Sequence, residues 1–144
     1  RVKGYIDDAR EKGATVICGG EGDPELRSIH PTIMTNVPEN ATIMSEETFG
    51  PILNIFTYKE VDEAITHIQQ QPKPLALYIF TNDDDFSEMI LSKTSSGGVT
   101  VNNCLMHVAV PGMPFGGVNS SGIGAYHGIY GFKELSHQRS ILFM

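Results

Sequence analysis

The sequence predicts an α/β protein, a mostly parallel sheet with flanking helices plus a C-terminal strand. Three observations carry this. From residue 52 onward the chain alternates strand, helix, strand, helix, strand with short connections, the pattern of crossovers onto a parallel sheet. The runs at 52–58 and 75–80 are almost continuously apolar, as expected of parallel strands buried on both faces. Hydrophobic residues make up 40% of the chain and charged ones 19%, an ordinary globular balance that argues against disorder. In such sheets ligands bind beyond the carboxyl ends of the strands.

The elements follow in order. Val2, Tyr5, Ile6 and Ala9 repeat at helical spacing, and Lys12-Gly13 stops the helix. A short β-like run, 14–18, is closed by Gly19-Gly20, and the polar residues 21–28 read as a loop. Residues 32–35, bracketed by Pro31 and Pro38, form a second extended piece. Next comes Met44-Ser45-Glu46-Glu47-Thr48-Phe49-Gly50-Pro51, whose Gly-Pro step breaks any helix and aims the chain into the apolar run at 52–58. Val61, Ala64, Ile65 and Ile68 share one face of an amphipathic helix over 61–70, with Asp62 and Glu63 in its first turn and Pro72 and Pro74 beyond its end. After the strand at 75–80, Asp83-Asp84-Asp85 supplies an N-cap and favourable charge for a helix running to Lys93. Ser95-Ser96-Gly97-Gly98 turns the chain into a strand at 99–101. The long segment 102–126 is rich in Gly, Ser and Asn yet dense in bulky apolar residues, which favours an ordered, functional loop. A short helix over 130–135 and a final strand over 139–144 complete the reading. No repeat or linker divides the main part.

Composition also excludes classes of function. A net charge of −7, with no cluster among the ten Lys and Arg, disfavours nucleic acid as a partner. No apolar run approaches the roughly 20 residues that span a bilayer, and no signal peptide is visible. Two cysteines, Cys18 and Cys104, make no disulfide framework and point to a reducing, intracellular setting. The sequons at Asn40 and Asn119 would matter only in a secreted protein. The chain opens at Arg1 inside a helical pattern, which reads as a piece of something longer.

Several residues carry candidate chemistry. Cys104, His107 and His127 offer nucleophile and base types, but a working Cys–His pair needs proximity in space, and a buried inert thiol is the commoner outcome after a strand. Cys104-x-x-His107 lacks the second ligand pair of a zinc site, so no metal is expected. Gly122-Ile-Gly124-Ala-Tyr-His-Gly128 departs from a dinucleotide fingerprint in its last interval and has no strand leading into it. A turn needing positive φ explains it better. For residues 44–51 the plain reading is solvated carboxylates beside a core Phe.

Taken together, other stretches are more specific. Glu46-Glu47-Thr48-Phe49-Gly50-Pro51, then Gly98-Val99-Thr100-Val101-Asn102, then Pro114-Phe115-Gly116-Gly117 and Ser121-Gly122-x-Gly124, in this order and spacing, resemble the C-terminal part of the aldehyde dehydrogenase superfamily. Lys73-Pro74-Leu75-Ala76-Leu77-Tyr78, Gly124-Ala125-Tyr126-His127-Gly128 and the segment 132–139 resemble its class 3 branch, which includes fatty aldehyde dehydrogenases. The resemblance covers essentially the whole chain.

It implies oxidation of an aldehyde, medium- or long-chain aliphatic, to its carboxylic acid with NAD or NADP. A cysteine thiolate attacks the aldehyde, hydride passes to the nicotinamide, and a glutamate-activated water releases the acid. Glu47 matches the glutamate that binds the nicotinamide ribose hydroxyls, and Phe49 the aromatic at the nicotinamide end. Glu46 matches a structural neighbour. Phe115 matches an aromatic of the aldehyde pocket, and Asn102 a position supporting the active-site wall. Asn103-Cys104 departs from the acidic residue usual there in class 3 relatives. The resemblance further implies that residues 1–136 are part of the catalytic domain and 137–144 an oligomerisation strand, so a homodimer is expected. The nucleophile and the general base match no residue here, and the remainder of the same polypeptide is expected to supply them. Localisation would be cytoplasmic or membrane-associated on an organelle. The alternatives are a non-catalytic binding or dimerisation module of the same fold, and an unrelated nucleotide-binding domain with its contacts at 122–128.

Overall fold

A computed structural model describes residues 1–144, which form two units, Arg1–Tyr58 and Lys59–Met144. In the first, helix α1 (Val2–Glu11) buries Tyr5, Ile6 and Ala9, three of the four positions at helical spacing. Strands β1 (Thr15–Cys18) and β4 (Thr32–Thr35) pair antiparallel, with a bulge between Val16 and Cys18, and β4 pairs in parallel with β5 (Ile52–Ile55). The loop expected at 21–28 includes a small ladder of β2 (Gly22–Asp23) with β3 (Ser28–Ile29). Ile6, Ala9 and Met34 are the centre of a core completed by Tyr5, Ala14, Val37, Ala41 and Ile43. Fully burying a side chain such as Ile6 or Met34 stabilises the fold by about 1.5–3 kcal/mol.

In the second unit, α2 (Val61–Gln70), β6 (Ala76–Ile79), α3 (Asp84–Lys93) and β7 (Gly98–Val101) follow in order. Strands β6 and β7 are parallel and in register from Ala76 opposite Gly98 to Ile79 opposite Val101, with α3 as their crossover. Asp83 caps α3 as its sequence requires, accepting the Phe86 N–H at 3.0 Å. Ile65, Ile79 and Ile90 form the core, with Val61, Leu77, Phe86, Met89 and Val99 packed against it. A short helix, α4 (Gly128–Glu134), lies two residues ahead of its predicted start.

Two expectations are corrected. The run at 52–58 forms a strand only to Ile55, and its residues alternate between half-buried and exposed, so it is not covered on both faces. Apolar composition continues through Phe56 and Tyr58, but the parallel ladder to β4 ends where β4 does, at Thr35. The expected strand at 139–144 is not formed: residues 137–144 are exposed and without regular structure, because a strand requires a hydrogen-bonded neighbour and this segment has none. No helix is long and apolar enough to cross a membrane.

Candidate functional site

The turn at 47–49 lies just before β5. The ladder is extended by one bond, Thr32 N–H to the Pro51 carbonyl at 2.8 Å, which fixes the Gly50-Pro51 step beside β4. Gly50 presses on α1: a Cβ there would stand 2.7 Å from Val2 Cγ1, so no larger residue fits without displacement. Phe49 has φ of 38°, the left-handed region, at a cost of about 1–2 kcal/mol for an L residue. Its ring is 79% exposed. Glu47 is exposed, its carboxylate makes no hydrogen bond or ion pair, and its carbonyl accepts from Arg1 Nη1 at 3.3 Å. Glu46 differs, accepting the Tyr5 hydroxyl at 2.7 Å. The plain reading of a core Phe therefore fails for Phe49, while both acids are exposed as that reading has them.

A carboxylate without a partner on a held turn can accept two adjacent hydroxyls, and a bare ring next to it can flank a flat heterocycle. The contacts of Arg1 and Tyr5 with this turn were not recognised from sequence, although their i,i+4 spacing was a signal that they share a helix face.

In the second unit, Asn102 follows β7 with φ of 58°. Its Oδ1 accepts from Thr81 N at 2.9 Å and its Nδ2 donates to Thr81 O at 2.8 Å, while its own N–H bonds the Ile79 carbonyl at 2.7 Å. The side chain thus splices the ends of β6 and β7, with one bond at each of its polar atoms.

Phe115 is half-buried in a ring cluster. Its ring centre lies 5.7 Å from His107, 5.6 Å from Tyr126 and 5.8 Å from the stacked His127. Phe115 and Tyr126 exchange both backbone hydrogen bonds, each 2.9 Å. His107 is only 7% exposed; its Nδ1 lies 2.9 Å from Thr100 Oγ1, and its ring occupies the space where a Gly98 Cβ would fall, 2.6 Å from Cδ2. Its Nε2, like His127 Nδ1, is buried without a hydrogen bond. His107 is thus a structural support for Phe115, which sequence reading took only as a base candidate. Cys104 is exposed, not buried as expected, and Cys18 is exposed as well.

Beside the Phe115–Tyr126 bridge lies a groove of about 280 Å³, lined by Gly116, Gly124, Tyr126, Gly131, Glu134 and Leu135 among others. The glycines of 122–128 make turns, with φ of 75° at Gly124 and 50° at Gly128, and the only element they lead into is the short α4.

Lys12 first, then the Thr42 N–H, hold the Asp8 carboxyl below the ordinary carboxylate value. The distances are 2.7 Å to Lys12 Nζ and 2.8 Å from Thr42 N.

Residues 1–141 match the aldehyde dehydrogenase family. Aldehyde dehydrogenase family 3 member A2 of Rattus norvegicus is 50% identical over 142 residues, 99% of this chain and 28% of that protein. A substrate-bound structure of Staphylococcus aureus AldH superposes with a TM-score of 0.92 at 42% identity, covering 100% of this chain and 31% of that one. A Mycobacterium tuberculosis aldehyde dehydrogenase complexed with NAD+ gives 0.87 at 35% identity, covering 100% and 30%. The chain spans about a third of the length of the relatives it matches. On these grounds the α/β fold is that of an aldehyde dehydrogenase, and the chain belongs to the aldehyde dehydrogenase family.

Proposed function

We propose that this chain is part of an enzyme that oxidises aldehydes to carboxylic acids with NAD or NADP, acting on medium- or long-chain aliphatic substrates. The carrying observation is the turn at 47–49, which presents an unpartnered carboxylate and a bare aromatic ring side by side. Glu47 accepts the two ribose hydroxyls, a charge-assisted pairing that needs no cation, and Phe49 orients the nicotinamide ring. The dinucleotide supplies the hydride acceptor when bound. Phe115, held by its ring neighbours, lines the aldehyde pocket, and Asn102 keeps the wall in place by joining the ends of β6 and β7. The nucleophilic cysteine and general-base glutamate of the reaction lie outside these residues, in the remainder of the same polypeptide. The 50% identity to a family 3 member supports the class 3 reading, and a 46% identical relative named as dimeric supports homodimer formation, for which residues 137–144 are the proposed segment; membrane association of the intact protein is part of the same proposal.

The test uses Glu47→Gln and Phe49→Ala in the intact protein. A lost charged hydrogen bond of about 1.5–3 kcal/mol predicts roughly tenfold or more weaker productive dinucleotide binding, or slower hydride transfer. Unchanged kinetics in both variants would sink the assignment.

A further inference from the structure

We propose that a hydrogen-bonded relay from Glu46 through Tyr5 to Arg1 holds the turn at 47–49 in its left-handed shape, making these three residues positioning groups for the dinucleotide contact. The inference rests on the reading of Glu47 and Phe49 given above. The relay begins in the core. The Tyr5 ring is buried among α1 and its neighbours, so its hydroxyl has a fixed position. That hydroxyl donates to Glu46 Oε2 at 2.7 Å and accepts from Arg1 Nη1 at 2.9 Å. The guanidinium carbon also sits 5.2 Å from the centre of the Tyr5 ring, a cation–π contact.

So anchored, the guanidinium reaches the turn twice: Nη1 donates to the Glu47 carbonyl at 3.3 Å and Nη2 to the Phe49 carbonyl at 3.5 Å. Both bonds are long, and each alone would constrain little. Their effect comes from one planar donor addressing two carbonyls on either side of Thr48. A bulky residue keeps a left-handed conformation only where its surroundings over-determine it. The relay and the close approach of Gly50 to Val2 are the two restraints that do so here. Glu46 carries the opposite charge to Arg1 at the other end of the shared hydroxyl, which strengthens both bonds. Remove either end and the guanidinium is free to leave the carbonyls.

The experiment is made on the intact protein with Tyr5→Phe, Glu46→Ala and both together. Tyr5→Phe keeps the buried ring and Glu46 is exposed, so neither change disturbs packing. The Thr48–Phe49 peptide is labelled with ¹³C on the Thr carbonyl and ¹⁵N on the Phe amide, and its NMR signal is followed without dinucleotide. Separately, NAD+ and NADP+ are titrated without aldehyde. The signal is expected to move in each single variant. Affinity for whichever dinucleotide binds should fall about fivefold, the worth of one net hydrogen bond, with the double variant no worse than either single one. Glu46→Gln, which still offers Tyr5 an oxygen, should stay within about twofold of the parent. An unmoved signal in both single variants, or additive losses in the double one, overturns the relay. A moved signal with unchanged affinity leaves the relay standing and overturns the reading of Glu47 and Phe49 as the cofactor contact.

Discussion

Asn102 shows how much of a site a single residue can hold without touching a ligand. Both of its side-chain polar atoms go to Thr81, and its backbone sits in the left-handed region that Asn tolerates better than most residues. Asn102→Ala deletes both bonds and keeps the backbone penalty, so we expect a loss of about 1–3 kcal/mol in a urea titration of the intact protein. Asn102→Gly should recover part of that loss by relieving the backbone. At this scale the sequence was only partly readable. Glu47, Phe49, Phe115 and Asn102 could be named from a motif, because their neighbours in sequence carry the pattern. The Tyr5 hydroxyl could not be linked to Glu46, since the two are 41 positions apart and nothing local marks them as partners. Likewise the burial of His107 follows from Gly98, a residue that sequence reading used only to turn the chain.

Among elements, periodicity served the helices well and the strands less well. A helix satisfies its own backbone, so the apolar repeat in 2–12 and the Asp83 cap are sufficient signals. A strand is completed by another strand, and for that reason apolar residues at 56–58 and 141–144 promised more than they form. Helix α1 also illustrates an electrostatic device. Asp8 ties α1 to the 3₁₀ turn at Thr42–Met44 through the Thr42 N–H, with Lys12 alongside. Its folded-state proton affinity is depressed, so the stabilisation it brings is present above its unfolded value and vanishes as pH falls through the folded one. Asp8→Asn should therefore lower the thermal midpoint at neutral pH. The gap between parent and variant should close below about pH 4, where the unfolded carboxyl protonates. A gap that stays constant down to strongly acid pH would show that Asp8 acts by shape alone.

For the molecule as a whole, fold class was the most legible property, because the alternation of strands and helices from residue 52 is spread over the chain and survives errors at any one boundary. What sequence alone leaves out is the division at Tyr58, since each unit's core is assembled from contacts that no local pattern announces. On the proposed reading the nucleophile and the base come from the remainder of the polypeptide, and the exposed Cys18 and Cys104 take no part. The 144-residue chain on its own is accordingly expected to produce no NADH when given aldehyde and NAD+. Aldehyde-dependent absorbance from a purified sample would contradict that expectation.

The backbone rung between Phe115 and Tyr126 has one more consequence, and it concerns how this protein can diverge. By pinching residues 116–125 at the neck, the rung separates the length of that loop from the position of the ring at its base. Doubling the length of such a flexible loop costs only about 0.6 kcal/mol of closure entropy. Insertions near the exposed Asn119–Ser120 tip can therefore accumulate over evolutionary time while Phe115 stays where it is. A lineage could remodel the groove by such insertions and leave the ring cluster untouched.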